Sequence, residues 1–141
     1  LTRQVEDDVL PACEELGIGV IPHSVLAKAM LSGKYRPGHV FPSDDERVSK
    51  PEFVESGFVP AMEIVEKLLE WAGDHGREGA QLAIAWCLAN PVVTSCIVGA
   101  KPPEQAIYNA AAAEWKLSAN DMLELAGILG DFRLPYSVVS K

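Results

Sequence analysis

The sequence predicts a parallel α/β fold, and three observations carry that expectation. Two short apolar runs, Ile18-Gly19-Val20-Ile21-Pro22 and Cys96-Ile97-Val98, show no alternation of polar and apolar residues, which suits strands covered on both faces of a parallel sheet. Long helical patterns fill the chain between them, as a crossover between parallel strands requires. Apolar residues make up 48% and charged residues 23% of 141 residues, enough for one domain with a real core.

The acidic balance, a net charge of -8, argues against nucleic acid and anionic membrane surfaces as partners. Cys13, Cys87 and Cys96 are odd in number, widely spaced and set in apolar stretches. They read as small buried hydrophobes in a reducing, cytoplasmic compartment, with no redox or metal role. No apolar run approaches the ~18 residues of a membrane helix, and no signal peptide heads the chain. A chain that starts at Leu1 without an initiator Met is expected to be a piece of something longer.

Residues 2–16 read as a helix with Glu6-Asp7-Asp8 in its first turn. Val5, Val9, Leu10, Cys13 and Leu16 would form its buried face, with a break near Pro11 and the main helix running from there. Gly17 stops it and the first strand, residues 18–22, follows. Residues 23–35 then leave the carboxyl end of that strand, the usual place for ligands in α/β proteins. Ser24 offers a hydroxyl, and Lys28 and Lys34 two cations. The same residues equally fit a plain βα loop whose helical turn packs Leu26, Met30 and Leu31.

Residues 36–57, rich in Pro, Gly, Ser, Asp and Glu, predict a long surface loop, long enough for a lid. Arg47 and Lys50 could reach a ligand from it or stay solvated. Met62, Ile64, Val65, Leu68, Leu69 and Ala72 describe an amphipathic helix over 60–72, ended by Gly73 and Gly76. Residues 79–89 form a second helix, apolar nearly all round and so buried, stopped by Asn90-Pro91.

Residues 94–109 read as strand, Gly99, the basic Lys101, Pro102-Pro103 at a helix start, then Glu104. Free N–H groups, the positive end of a helix and an ammonium together can hold a phosphate. An ordinary β-to-α turn has the same spacing. Ser118 caps a last helix with Asp121 at N3, burying Met122, Leu125, Ile128 and Leu129. Residues 131–141 carry no readable period. Two parallel strands cannot bury a sheet alone, so the unit belongs to a larger barrel or pairs with another copy.

These residues resemble the aldo-keto reductases. The likeness runs through Cys13-Glu14-Glu15-Leu16-Gly17-Ile18-Gly19-Val20, Ser24-Val25-Leu26-Ala27 and Leu31-Ser32-Gly33-Lys34-Tyr35. It continues in Ala80-Gln81-Leu82-Ala83-Ile84-Ala85-Trp86 and in Ile97-Val98-Gly99-Ala100 with Glu104-Gln105 and Asn109. Five stretches stand in the family's order, from about residue 3 to about residue 129, and look closest to the branch of bacterial general-stress reductases and potassium-channel beta subunits.

The resemblance implies the C-terminal portion of a (β/α)8 TIM barrel, residues 1–141 being one partial domain with strands seven and eight and the closing helices. It implies NADP(H) as cofactor and a small carbonyl substrate where the full barrel exists. By match, His23, Ser24, Val25, Leu26, Ala27, Lys28, Ala29 and Lys34 lie along the pyrophosphate, and Gly99, Lys101, Gln105 and Asn109 at the 2′-phosphate and adenine.

Three positions depart from the family pattern: Val25 for Pro, Ala29 for Gly and Tyr108 for Glu. The family's catalytic Asp, Tyr, Lys and His sit on strands this chain lacks, so no catalytic and no metal residue is assigned. Two functions follow: the cofactor-binding part of an NADP-dependent reductase of aldehydes and ketones, or a non-catalytic truncated homologue serving as a nucleotide-binding or protein-interaction module. Either would expose apolar barrel edges and tend to self-associate.

Overall fold

The computed structural model describes residues 1–134, with Glu55 and Ser56 described by their backbone alone. Residues 135–141, and with them most of the stretch without a readable period, lie outside the described residues. Five α-helices dominate: α1 Val9–Glu15, α2 Glu55–Asp74, α3 Gly79–Leu88, α4 Pro103–Ala111 and α5 Ala119–Leu129.

The centre is α2, packed against α3 and α5, with α3 also touching α4 and the turn Met30–Ser32. The apolar stripe read from the sequence accounts for this. Met62, Val65, Leu68 and Ala72 of α2 are buried, while Ile64 and Leu69 are half-buried beside them. Helix α2 begins earlier than its periodicity predicts, at Glu55, and carries Pro60 inside it. The sequence reading takes Pro60 as a first-turn residue, whereas here it is the sixth.

Helix α3 is buried along Gly79–Ala85, matching its all-round apolar character. Gly79 is needed there: a Cβ would fall 2.5 Å from the Leu31 carbonyl oxygen and 2.2 Å from Leu69 Cδ2. In α5 the Ser118 hydroxyl accepts from the Asp121 amide at 3.1 Å, and the Asp121 carboxylate accepts from the Ser118 amide at 2.7 Å. The capping box is formed with Asp in the usual Glu position. Leu125 and Leu129 are buried, Met122 and Ile128 half-buried.

Two expectations need correction. The first concerns the strands. Among the described residues there is none, only one isolated parallel bridge between Val20 and Val93. Val20 N donates to Val92 O at 2.7 Å, and Thr94 N donates to Val20 O at 3.0 Å. A regular parallel ladder would next exchange bonds through residue 22, but Pro22 has no N–H to give. Ile97 N instead donates to Pro22 O at 2.9 Å, one residue beyond the regular register, so pairing ends after one rung. The pairing centre also lies three residues before Cys96, where the apolar run had placed the strand.

The second concerns the amino-terminal helix. A 3₁₀ turn, Gln4–Glu6, precedes a short α1 that starts at Val9, with Pro11 inside its first turn rather than at its start. None of its predicted face is buried: Val5, Val9 and Leu16 are exposed, Leu10 and Cys13 half-buried. Periodicity marks which side of a helix is apolar, not whether anything covers it.

Candidate functional site

The bridge and the Pro22–Ile97 hydrogen bond run two backbone segments side by side in the same direction. Both following turns therefore leave from one end of the pair, where α/β proteins place ligands. These are residues 23–29 and 99–105, the two stretches the sequence singles out.

The first turn is wound against the usual backbone preference. Ser24, Ala27, Lys28 and Ala29 all have positive φ, at 56°, 47°, 51° and 74°. An L-residue in this region costs roughly 1–2 kcal/mol, and such strain clusters at ligand sites. Ala29 stands where the family resemblance expects Gly, and its φ is one that glycine adopts freely. The turn persists because its far side is anchored. Val25, Met30 and Leu31 are buried, and Leu31 N donates to Leu26 O at 3.2 Å.

Among the described residues the amides of Val25, Leu26, Lys28 and Ala29 donate to no protein acceptor. His23 Nδ1 and Ser24 Oγ are 2.9 Å apart and exposed. Lys34 is exposed too, just past this turn. Lys28 is not free: its ammonium lies 2.7 Å from Glu52 Oε1.

The second turn is relaxed. Pro102 caps α4 and Pro103 is its first residue, with Glu104 in the first turn. Lys101 is exposed. Gln105 Oε1 accepts from the Lys101 amide at 2.9 Å, and Asn109 Nδ2 donates to Gly99 O at 3.4 Å. Four residues apart on α4, Gln105 and Asn109 both turn back onto the loop before the helix. Gly99 has no positive φ, and a Cβ there would meet nothing within 4 Å. The backbone freedom expected of it is not used.

Beneath this turn lies a cavity of about 350 Å³, lined by Leu88, Thr94, Cys96, Val98, Ala106 and Asn109 among others. Tyr108 points elsewhere: burial first, then its hydrogen bond to Glu78, pushes its phenol up to about 12. The cysteines are half-buried rather than fully buried, and burial pushes the Cys87 thiol up to about 12.

Sequence reasoning missed what residues 36–57 do. Two 3₁₀ turns, Glu46–Ser49 and Pro51–Phe53, order this segment before α2 begins. Arg47 lies over Tyr35 and Phe41, 5.1 Å and 4.8 Å from the ring centroids, and pairs with Asp45. The Arg47 hydrogen bonds hold the Asp45 carboxyl down at about 2. Glu52 is buried against Lys28. The Tyr35 and Phe41 aromatics were a usable signal for this packing. Nothing in the spacing of Lys28 and Glu52 indicates their pairing.

One parallel bridge, two turns leaving the same end of it and helices packed behind are the arrangement of an α/β unit. The fold bears this out: 96% of the chain superposes, at a TM-score of 0.81 and 23% identity, on 42% of the glycerol dehydrogenase AKR11B4 from Gluconobacter oxydans. The model of the Aldo/keto reductase family matches residues 1–129, and the chain belongs to that family.

Similar sequences include the probable aldo-keto reductase 1 of Glycine max, 32% identical over 88% of this chain and 36% of its own length. The oxidoreductase YrpG of Bacillus subtilis is 33% identical over 74% of this chain and 30% of its own. A probable voltage-gated potassium channel subunit beta of rice is 33% identical over 79% and 35%. The chain thus spans about a third of the length of these curated relatives. Among the described residues no helix is long and apolar enough to cross a membrane.

Proposed function

We propose that residues 1–141 are one partial barrel domain supplying the dinucleotide-binding part of an NADP-dependent oxidoreductase that reduces aldehydes or ketones to alcohols. The observation that carries this reading is the pairing of Val20 with Val93, which sets two anion-suited turns at one end of the same backbone pair. The residues fit the cofactor. Unpartnered amides at 25, 26, 28 and 29 suit pyrophosphate oxygens, and exposed Lys101 beside the start of α4 suits a 2′-phosphate. Gln105 and Asn109 would exchange their present backbone partners for the adenosine.

When bound, NADPH supplies the hydride. The chain's own part is to bind and orient: His23 through Ala29 and Lys34 along the pyrophosphate, and Gly99, Lys101, Gln105 and Asn109 around the adenosine phosphate. No residue of this chain is assigned a proton-transfer role.

Titration calorimetry with NADPH and NADH tests the reading. Binding that prefers NADPH and weakens in Lys101→Ala is expected; equal binding of both, unaffected by the substitution, would overturn it.

A second reading rests on a different observation. Ile18, Ile21 and Ile97 are 51%, 56% and 61% exposed beside the single bridge, an apolar edge suited to partner chain or to a second copy. The chain would then be a nucleotide-binding or interaction module without catalysis of its own. Light scattering at low micromolar concentration should show self-association if a second copy covers this edge; a clean monomer contradicts that form of the reading.

A further inference from the structure

The sharpest electrostatic anomaly lies at Glu52. Its residue is only 9% exposed, and burial, the largest single influence, pushes the carboxyl up; the Lys28 hydrogen bond, the backbone at Glu52 and the charges of Lys28 and Lys50 together bring it below its usual value. Oε1 takes the Lys28 ammonium at 2.7 Å, while Oε2 is buried with no hydrogen-bond partner. The charge of Lys50, two residues away, also acts on it. A buried carboxylate held by one ammonium, with its second oxygen idle, is an arrangement that persists only where the surroundings enforce it. Here they do: the neighbouring Phe53 is buried and its ring stacks on that of buried Phe58, and the Gly57 backbone packs against Pro51 and Glu52.

The pair joins two segments with different duties. Lys28 sits in the strained turn with free amides, and Glu52 is the middle residue of the turn Pro51–Phe53, just before α2. We propose that Glu52 is a built-in competitor for phosphate: it occupies the Lys28 ammonium until an anionic ligand on residues 23–29 displaces it, and so couples ligand binding to release of the segment around Pro51–Phe53. This rests on the reading of residues 23–29 as the pyrophosphate turn. Once Lys28 turns to a phosphate, Glu52 keeps neither oxygen satisfied and faces added negative charge nearby, so residues 51–53 must move toward water. Glu52 therefore sets the anion affinity of the turn without touching the ligand.

The test compares the 141-residue chain with Glu52→Gln, Lys28→Gln and the double variant, each checked for folding by far-UV circular dichroism. NADPH and inorganic pyrophosphate are titrated, and chymotrypsin cleavage after the buried Phe53 is timed with and without them. Glu52→Gln should bind both ligands about fivefold more tightly, the scale of a partly exposed ion pair. The gain should vanish in the double variant. In the unsubstituted chain NADPH should speed chymotrypsin cleavage after Phe53, and Glu52→Gln should be cleaved faster even without ligand.

Binding by the unsubstituted chain that is unchanged or weakened in Glu52→Gln overturns the inference and leaves the cofactor reading standing. If no form binds either ligand, the cofactor reading fails instead. The inference, which rests on that reading, falls with it, and an unchanged ligand-free cleavage rate in Glu52→Gln also overturns it.

Discussion

The turn after Ile21 and the turn after Val98 leave the same end of one backbone pair, and they are ordered by different means. Residues 23–29 hold four non-glycine residues at positive φ, kept there by Met30 and Leu31 buried behind them. Residues 99–105 hold none, and their order comes from local hydrogen bonds and two prolines at the start of α4. The first is shaped by tertiary packing and already engages its cation. The second is shaped by its own sequence and leaves its cation in solvent. A binding site assembled from both inherits rigidity from one and an open charge from the other.

That contrast can be broken most forcefully at Gly79. A Cβ there strikes the Leu31 carbonyl, so Gly79→Ala should destabilise the fold by about 2–3 kcal/mol in urea titration, in the range for overpacked sites. It should disturb the amides of 23–31 and leave those of 99–105 in place.

A smaller effect separates the two lysines. Lys101→Ala should lower NADPH affinity about tenfold, the scale of one charge-assisted contact. Lys28→Ala should lower it about threefold, because Lys28 must first leave Glu52. Equal losses in calorimetry would mean that the pairing is not held in solution.

Smaller again is the relief of strain. Ala29→Gly removes roughly 1–2 kcal/mol of left-handed strain against roughly 0.5–1 kcal/mol of added chain entropy, a gain of about 0.5–1 kcal/mol in chemical denaturation. The counterpart in the relaxed turn, Gly99→Ala, should change stability by no more than about 0.5 kcal/mol.

The smallest expected change is with pH. Asp45 is held at about 2 against an ordinary value of 3.8, so its folded value lies below its unfolded one. Its contribution is complete above the ordinary value and is lost as pH falls toward 2. Tyr35 ring signals should shift across that window and stay flat in Asp45→Asn.

What the sequence reveals follows from the range of the forces involved. Helices α2 to α5 were legible because their apolar spacing, their Gly and Pro stops and the Ser118–Asp121 cap act within one or two turns. The strands were legible as apolar runs but not as strands, because ladder bonds need partners and Pro22 ends the one pairing found among the described residues. The burial of α1 was misread for the same reason: Val5, Val9 and Leu16 mark a face that no described residue covers.

At the candidate site, residue types pointed to both turns, yet nothing local in Ala27-Lys28-Ala29 announces left-handed backbone. Residues 36–57 looked featureless because Arg47 and Glu52 take their roles from rings and an ammonium brought in by the fold. Gly99, a natural choice for a tight turn, proves not to need its freedom.

The measurement that bears most directly on the account is an amide-resolved NMR titration of the chain with NADPH. If the two turns form one site, the amides of Val25, Leu26, Lys28 and Ala29 and those around Lys101 and Gln105 should shift together and saturate at one ligand concentration. Shifts confined to one turn, or saturating at two different concentrations, would contradict the central claim that the Val20–Val93 pairing builds a single dinucleotide site.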